Sequence, residues 1–108
     1  MATPIQKQYI SSVSLLQEKC STSIIPNGEI WEVQSWFGSA NPGKDTHVCL
    51  VWDYDGAGEE IVAITYTSEK RNIDRQFEGN GVKKLAIVLV NDTLDTERLG
   101  GGFIYKVI

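Results

Sequence analysis

His47 and Cys49 stand two residues apart in HVCLVWDY, and residues at i and i+2 of a strand share a face. An imidazole beside a thiol is one way to build an activated nucleophile. It also needs a third group to orient the base, and no nucleophile elbow or triad signature flanks the pair. A rim histidine beside a small buried hydrophobe fits the apolar neighbours Val48, Leu50 and Val51 better. The second chemical cluster is acidic, Asp53-Tyr54-Asp55-Gly56-Ala57-Gly58-Glu59-Glu60. Counted from Asp53, an EF-hand loop would have acids at its first and third positions and Gly58 at its sixth. Its fifth position is then Ala57, and its twelfth, which must be a bidentate Glu, is Ile64. Asp53 and Asp55 remain calcium candidates only through some other loop geometry, and a hairpin tip with solvated carboxylates is the simpler reading.

Other chemistry finds less support. Cys20 and Cys49 are 29 residues apart, without a CxxC, in a chain with one histidine; structural zinc needs about four such ligands. Gly100-Gly101-Gly102 precedes a strand and so does not form a phosphate loop; close backbone approach explains it better. No spacing among the fourteen acids points to a glycosidase pair. We therefore expect no catalytic residues, no metal and no cofactor. Three tryptophans remain. Trp31 and Trp52 fall on core faces, whereas Trp36 shares a face with Glu32 and Gln34 and is expected to be exposed, as a sugar platform or a protein contact.

The elements that position these residues are short strands. VKKLAIVLV, residues 82–90, lies between Gly79-Asn80-Gly81 and Asn91-Asp92 and is too short for a multi-turn helix. It reads as a central strand, with Leu85, Ile87 and Leu89 on one side and Ala86, Val88 and Val90 on the other. EIWEVQSWF, residues 29–37, alternates with Trp31, Val33 and Phe37 on one face. Residues 47–54 and 60–66 form a hairpin around Asp55-Gly56-Ala57-Gly58. Residues 9–16 suit an edge strand, 17–22 a turn leading into a short strand, 67–71 a loop, 72–78 an irregular or edge strand, and 103–108 a closing strand. Pro26-Asn27-Gly28 is a turn. Seven to eight short strands with Gly, Asn, Asp and Pro between them, and no helical period, predict an all-β antiparallel sandwich of jelly-roll or Greek-key type. Its core is expected to unite Leu85, Ile87, Leu89, Val48, Leu50, Trp31, Val33 and Phe103.

At 108 residues the chain is one domain, able to bury roughly 65% of its unfolded surface without a staple. Residues 1–8 read as an N-terminal arm ordered only by contact, and residues 9–108 as the sandwich. A net charge of −4 with scattered basic residues is the wrong sign for nucleic acid or an anionic membrane. No apolar run approaches the ~18 residues of a membrane span.

Three blocks resemble the small jelly-roll accessory proteins of tailed-bacteriophage virions: residues 29–37 with the exit Gly38-Ser39-Ala40, the hairpin VWDYDGAGEEI, and GNGVKKLAIVLVN followed by a glycine-rich turn and a terminal strand. The resemblance implies a decoration or tail component that is made in the host cytoplasm and resides in the virion. Such a component would have no cofactor, and it would associate as a trimer or other multimer with itself or bind other virion proteins. Its contact is expected to involve Pro4, Ile5 and Tyr9 of the arm region together with Trp36. Two alternatives stand beside this reading: a carbohydrate-binding module using an exposed Trp36 for a glycan, and an inhibitor of a host factor.

Overall fold

The computed structural model describes residues 3–108. Among the described residues there are eight strands: β1 Ile5–Val13, β2 Gln17–Ile24, β3 Ile30–Ser39, β4 Thr46–Trp52, β5 Glu60–Thr65, β6 Ser68–Glu78, β7 Lys84–Asn91 and β8 Glu97–Val107. They form two four-stranded sheets, in the orders β1-β8-β3-β6 and β2-β7-β4-β5, and every pairing is antiparallel. Each sheet interleaves early and late strands, so the two Greek keys of a jelly roll are present and the expected fold class holds.

The alternation of VKKLAIVLV works as expected from Leu85 to Val90, while Val82 and Lys83 precede β7 and Val82 is exposed. Leu85, Ile87 and Leu89 face the space between the sheets, and β7 lies between β2 and β4. All eight residues expected in the core belong to one buried cluster. On the outer face of the same sheet, Ala86 and Val88 join Cys49 and Val51 in a second, smaller buried cluster, against which Tyr54, Ile64 and Val90 pack. The β4–β5 hairpin pairs as predicted. The Pro26 turn closes through the Glu29 N–H donating to the Pro26 carbonyl at 3.1 Å, with Gly28 at φ 87°.

Several boundaries differ from expectation. The division at residue 8 fails because Ile5 to Gln8 pair with Tyr105 to Gly102, so the second half of the arm is the start of β1. Met1 and Ala2 lie outside the described residues. Residues 17–24 form a full strand despite their polar composition, because an edge strand needs only one face toward the core, and Ser21 and Ser23 supply it at half burial. β6 likewise begins at Ser68, within the segment expected to be a loop.

The three glycines lie inside β8 and form no turn there. A Cβ on Gly101 would stand 2.7 Å from Val48 Cγ1 and 2.8 Å from Trp36 Cη2, so the core reaches down to the backbone at this point. A Cβ on Gly102, facing outward, would stand 2.4 Å from Phe37 Cζ. Gly101→Ala should cost about 1–3 kcal/mol through overpacking, read as a lowered denaturant midpoint with an unchanged m-value. A variant as stable as wild type would mean that Trp36 and Val48 have room to yield.

Candidate functional site

The fate of Trp36 follows from a bulge. Between Val33 and Ser35 the register against β8 advances two residues on β3 for one on β8, from Val33↔Tyr105 to Ser35↔Ile104. One extra residue in a strand exchanges its faces. Trp31 and Val33 therefore point inward before the bulge, and Trp36 points inward after it, with no exposure at all. Its Nε1–H donates to Thr65 Oγ1 of the opposite sheet at 2.8 Å. Phe37, expected on one face with Trp31 and Val33, turns to the outer face of its sheet. Strict alternation cannot foresee this exchange, and the expectation of an exposed Trp36 is corrected: it lies in neither a glycan platform nor a protein contact. The carbohydrate reading loses its stacking platform with it.

The thiol and imidazole are both placed on the outer face of the second sheet, opposite Val88 and Val90 of β7. Burial, and secondarily the nearby Glu18 carboxylate, pushes the Cys49 thiol up to about 11, so at neutral pH it is a protonated hydrophobe and not a nucleophile. His47 packs against the Tyr66 ring, with centroids 5.8 Å apart. Cys20 is exposed on β2, and its contact with Tyr54 is the leading cause that raises the Tyr54 hydroxyl to about 12, ahead of burial. A polar thiol reagent at neutral pH should modify Cys20 rapidly and Cys49 only on unfolding; rapid native modification of both would show that the outer cluster is open. The neutral Cys49 thiol favours the fold. Its contribution is complete below about pH 9 and declines as pH rises toward about 11, where the folded protein must ionise it.

The acidic hairpin tip uses its carboxylates on its own backbone. Asp53 Oδ2 accepts from the Gly58 N–H at 3.0 Å, and Glu59 Oε2 accepts from the Asp55 N–H at 2.7 Å. Asp53 and Asp55 both adopt left-handed φ, at 54° and 61°. These bonds explain the acids as turn-forming groups, and no group of three or more His, Cys, Asp or Glu placed to share a metal occurs among the described residues.

What distinguishes the surface is its edges. β6 carries Glu69, Lys70, Arg71, Asp74, Arg75 and Glu78, and its register breaks where Asp74 takes φ 50°. β5 is six residues long, with a register shift of its own, and β2 bears Glu18 and Lys19. β1 has nine residues in unbroken register with β8, no proline, and Lys7 as its single charge. The usual guards of an exposed edge, which are charges, bulges, shortness and proline, are nearly absent there.

The polarity of that edge can be read from β8. The carbonyl oxygens of Lys7 and Tyr9 lie 2.6 and 3.6 Å from where a Cβ on Gly102 and Gly100 would stand, so these residues direct their main chain toward β8. By alternation, the N–H and C=O groups of Gln6, Gln8, Ile10 and Ser12 face away from the sheet. Pro4 and Ile5 are exposed at the start of this edge, while Tyr9 is half-buried against the core.

Fold and surface together define a jelly-roll sandwich in which β1 is the least guarded edge among the described residues. No family model matches the chain, and no curated protein matches it. Among solved structures, a chain of the Bacillus endospore appendages, described as a novel family of disulfide-linked pili, aligns over 98% of this chain and 90% of its own, with 11% identity and a TM-score of 0.47.

Proposed function

We propose that the protein is a non-catalytic structural component that associates with copies of itself through the open edge of β1. The observation that carries this reading is the contrast between β1, with nine residues in register and a single charge, and β6, with six charges and a register break. A neighbour's strand added to β1 would satisfy the outward main-chain groups of Gln6, Gln8, Ile10 and Ser12 and cover Ile5 and Ile10, which are 41% and 51% exposed. The specific form we favour is an accessory component of a tailed-phage virion, made in the host cytoplasm. Its support is the jelly-roll topology, an arrangement used by viral capsid domains and by unrelated proteins as well, so this step is analogy of fold.

Amide hydrogen exchange as a function of concentration tests the assembly reading. The β1 amides of Gln6, Gln8, Ile10 and Ser12 should gain protection as concentration rises, while those of β6 stay constant. Fast exchange of these four amides at every concentration would remove the edge from the account. The virion form is tested separately by mass spectrometry of purified particles, and its absence from them would overturn that form alone.

A further inference from the structure

We propose that a second contact joins two copies face to face, with the Leu94 loop of each seated in the glycine-floored groove of the other. The inference deepens the assembly reading and rests on it. The groove, about 410 Å³, lies on the outer face of the β1-β8-β3-β6 sheet, between Ile10 of β1 and Phe37 of β3. It exists because Gly100 gives β8 no side chain beside Ile10, where a Cβ would stand 3.0 Å from Ile10 Cγ1; the outward space over Gly102 is filled by Phe37, whose ring forms the far wall. Ser39 and Ser68 line one side, with Lys70 beside them. Arg98 stands on the same outward face, two residues before Gly100 and opposite Ser12. The one carboxylate in the lining, Glu69, is paired with Arg71, whereas Lys70 and Arg98 have no ion-pair partner among the described residues.

The loop between β7 and β8 has the complementary character. Leu94 is 76% exposed, more than any other large hydrophobic side chain described, and it stands between the exposed Asp92 and Asp95, neither of which is in an ion pair. The loop is held in shape from below. Asn91 Oδ1 accepts from the N–H and Oγ1–H of Thr93 at 2.9 and 2.7 Å, and Asn91 Nδ2 donates to the Asp95 carbonyl at 2.8 Å. A leucine presented on a pre-ordered loop between two carboxylates matches an apolar groove flanked by two unpaired cations, and pre-ordering lowers the entropic cost of docking. β8 begins at Glu97, three residues before Gly100, so loop and groove are near neighbours in one copy. A two-fold axis beside them lets each copy offer its loop to the other's groove.

Charge exchange tests this in a Gln8→Pro background, which removes an outward N–H of the β1 edge; Gln8 does not line the groove. Sedimentation of that variant should still show dimers. Adding Lys70→Glu with Arg98→Glu, or instead Asp92→Lys with Asp95→Lys, should each weaken pairing by about a hundredfold or more. A one-to-one mixture of the two charge variants should restore the dimer, because both contacts in the mixed pair are then attractive. Recovery on mixing also shows that neither variant was merely unfolded. A Gln8→Pro protein that is monomeric, with no pairing on mixing, overturns the loop–groove contact and leaves the edge reading standing. Wild-type protein that is monomeric throughout overturns both.

Discussion

Asn91→Asp should destabilise the fold by about 4 kcal/mol or more, although it changes one atom type and no volume. Asn91 is fully buried, and its Nδ2 donates to the carbonyls of Val13 at 2.9 Å, Ser14 at 3.3 Å and Asp95 at 2.8 Å. One amide thereby ties the end of β1, the β1–β2 turn and the β7–β8 loop together. A carboxylate keeps the two bonds from Thr93 but has nothing to donate, so it leaves buried carbonyls unpaired at about 1–3 kcal/mol each and turns a buried charge toward them. The sign with pH is defined: burial beside carbonyl oxygens raises the folded pKa of the new carboxyl above the ordinary ~3.9. The variant is therefore nearest to wild type at low pH and loses stability as pH rises through that raised value. Chemical denaturation at pH 3 and pH 7 measures the difference, and a cost below about 1 kcal/mol at pH 7 would contradict the role given to Asn91.

Ile87→Ala should cost about 2–5 kcal/mol. Ile87 is 3% exposed at the centre of β7, in the cluster that unites both sheets, and its Cγ2 would lie 3.1 Å from a Cβ on Gly101. Truncation leaves a cavity walled by Val48, Leu50 and Trp36, on strands that hydrogen bonding fixes from both sides. Urea denaturation reads this as a lower midpoint, and a change below about 1 kcal/mol would match a surface position and break the assignment of β7 as the central strand.

Where a strand runs straight, the pattern of side chains was enough. The two faces of residues 85–90, the hairpin around Asp55-Gly56 and all eight expected core residues could be read from alternation and turn chemistry. Legibility ended where a local irregularity exchanged faces. The bulge after Val33 carries no glycine or proline to announce it, and it inverts Trp36 and Phe37 together, which takes the exposed tryptophan from the sugar reading. The close backbone approach expected at Gly100-Gly101-Gly102 holds, but which side chains make it is non-local: Trp36, Val48 and Phe37 reach the glycines from other strands. The same holds for Asn91, which looks like a turn former and is instead a buried tie between three segments. The groove could not be read either, since it arises where Gly100 leaves β8 without a side chain between Ile10 and Phe37, which only the sheet order brings together.

Edge strands are the other place where composition misleads. Residues 5–8 looked uncommitted because IQKQ has no core pattern, yet β1 pairs along them with Tyr105 to Gly102 and leaves its other side open. That open side is the centre of the functional account, and sedimentation equilibrium of wild type beside Gln8→Pro tests it most directly. Proline at this position removes an N–H that faces away from β8, so the β1–β8 ladder should survive and the unfolding midpoint should stay close to wild type. The account predicts a wild-type mass that rises above the 12.0 kDa monomer with concentration and a Gln8→Pro protein reduced by at least one assembly step. Equal masses for the two proteins at every concentration would contradict it.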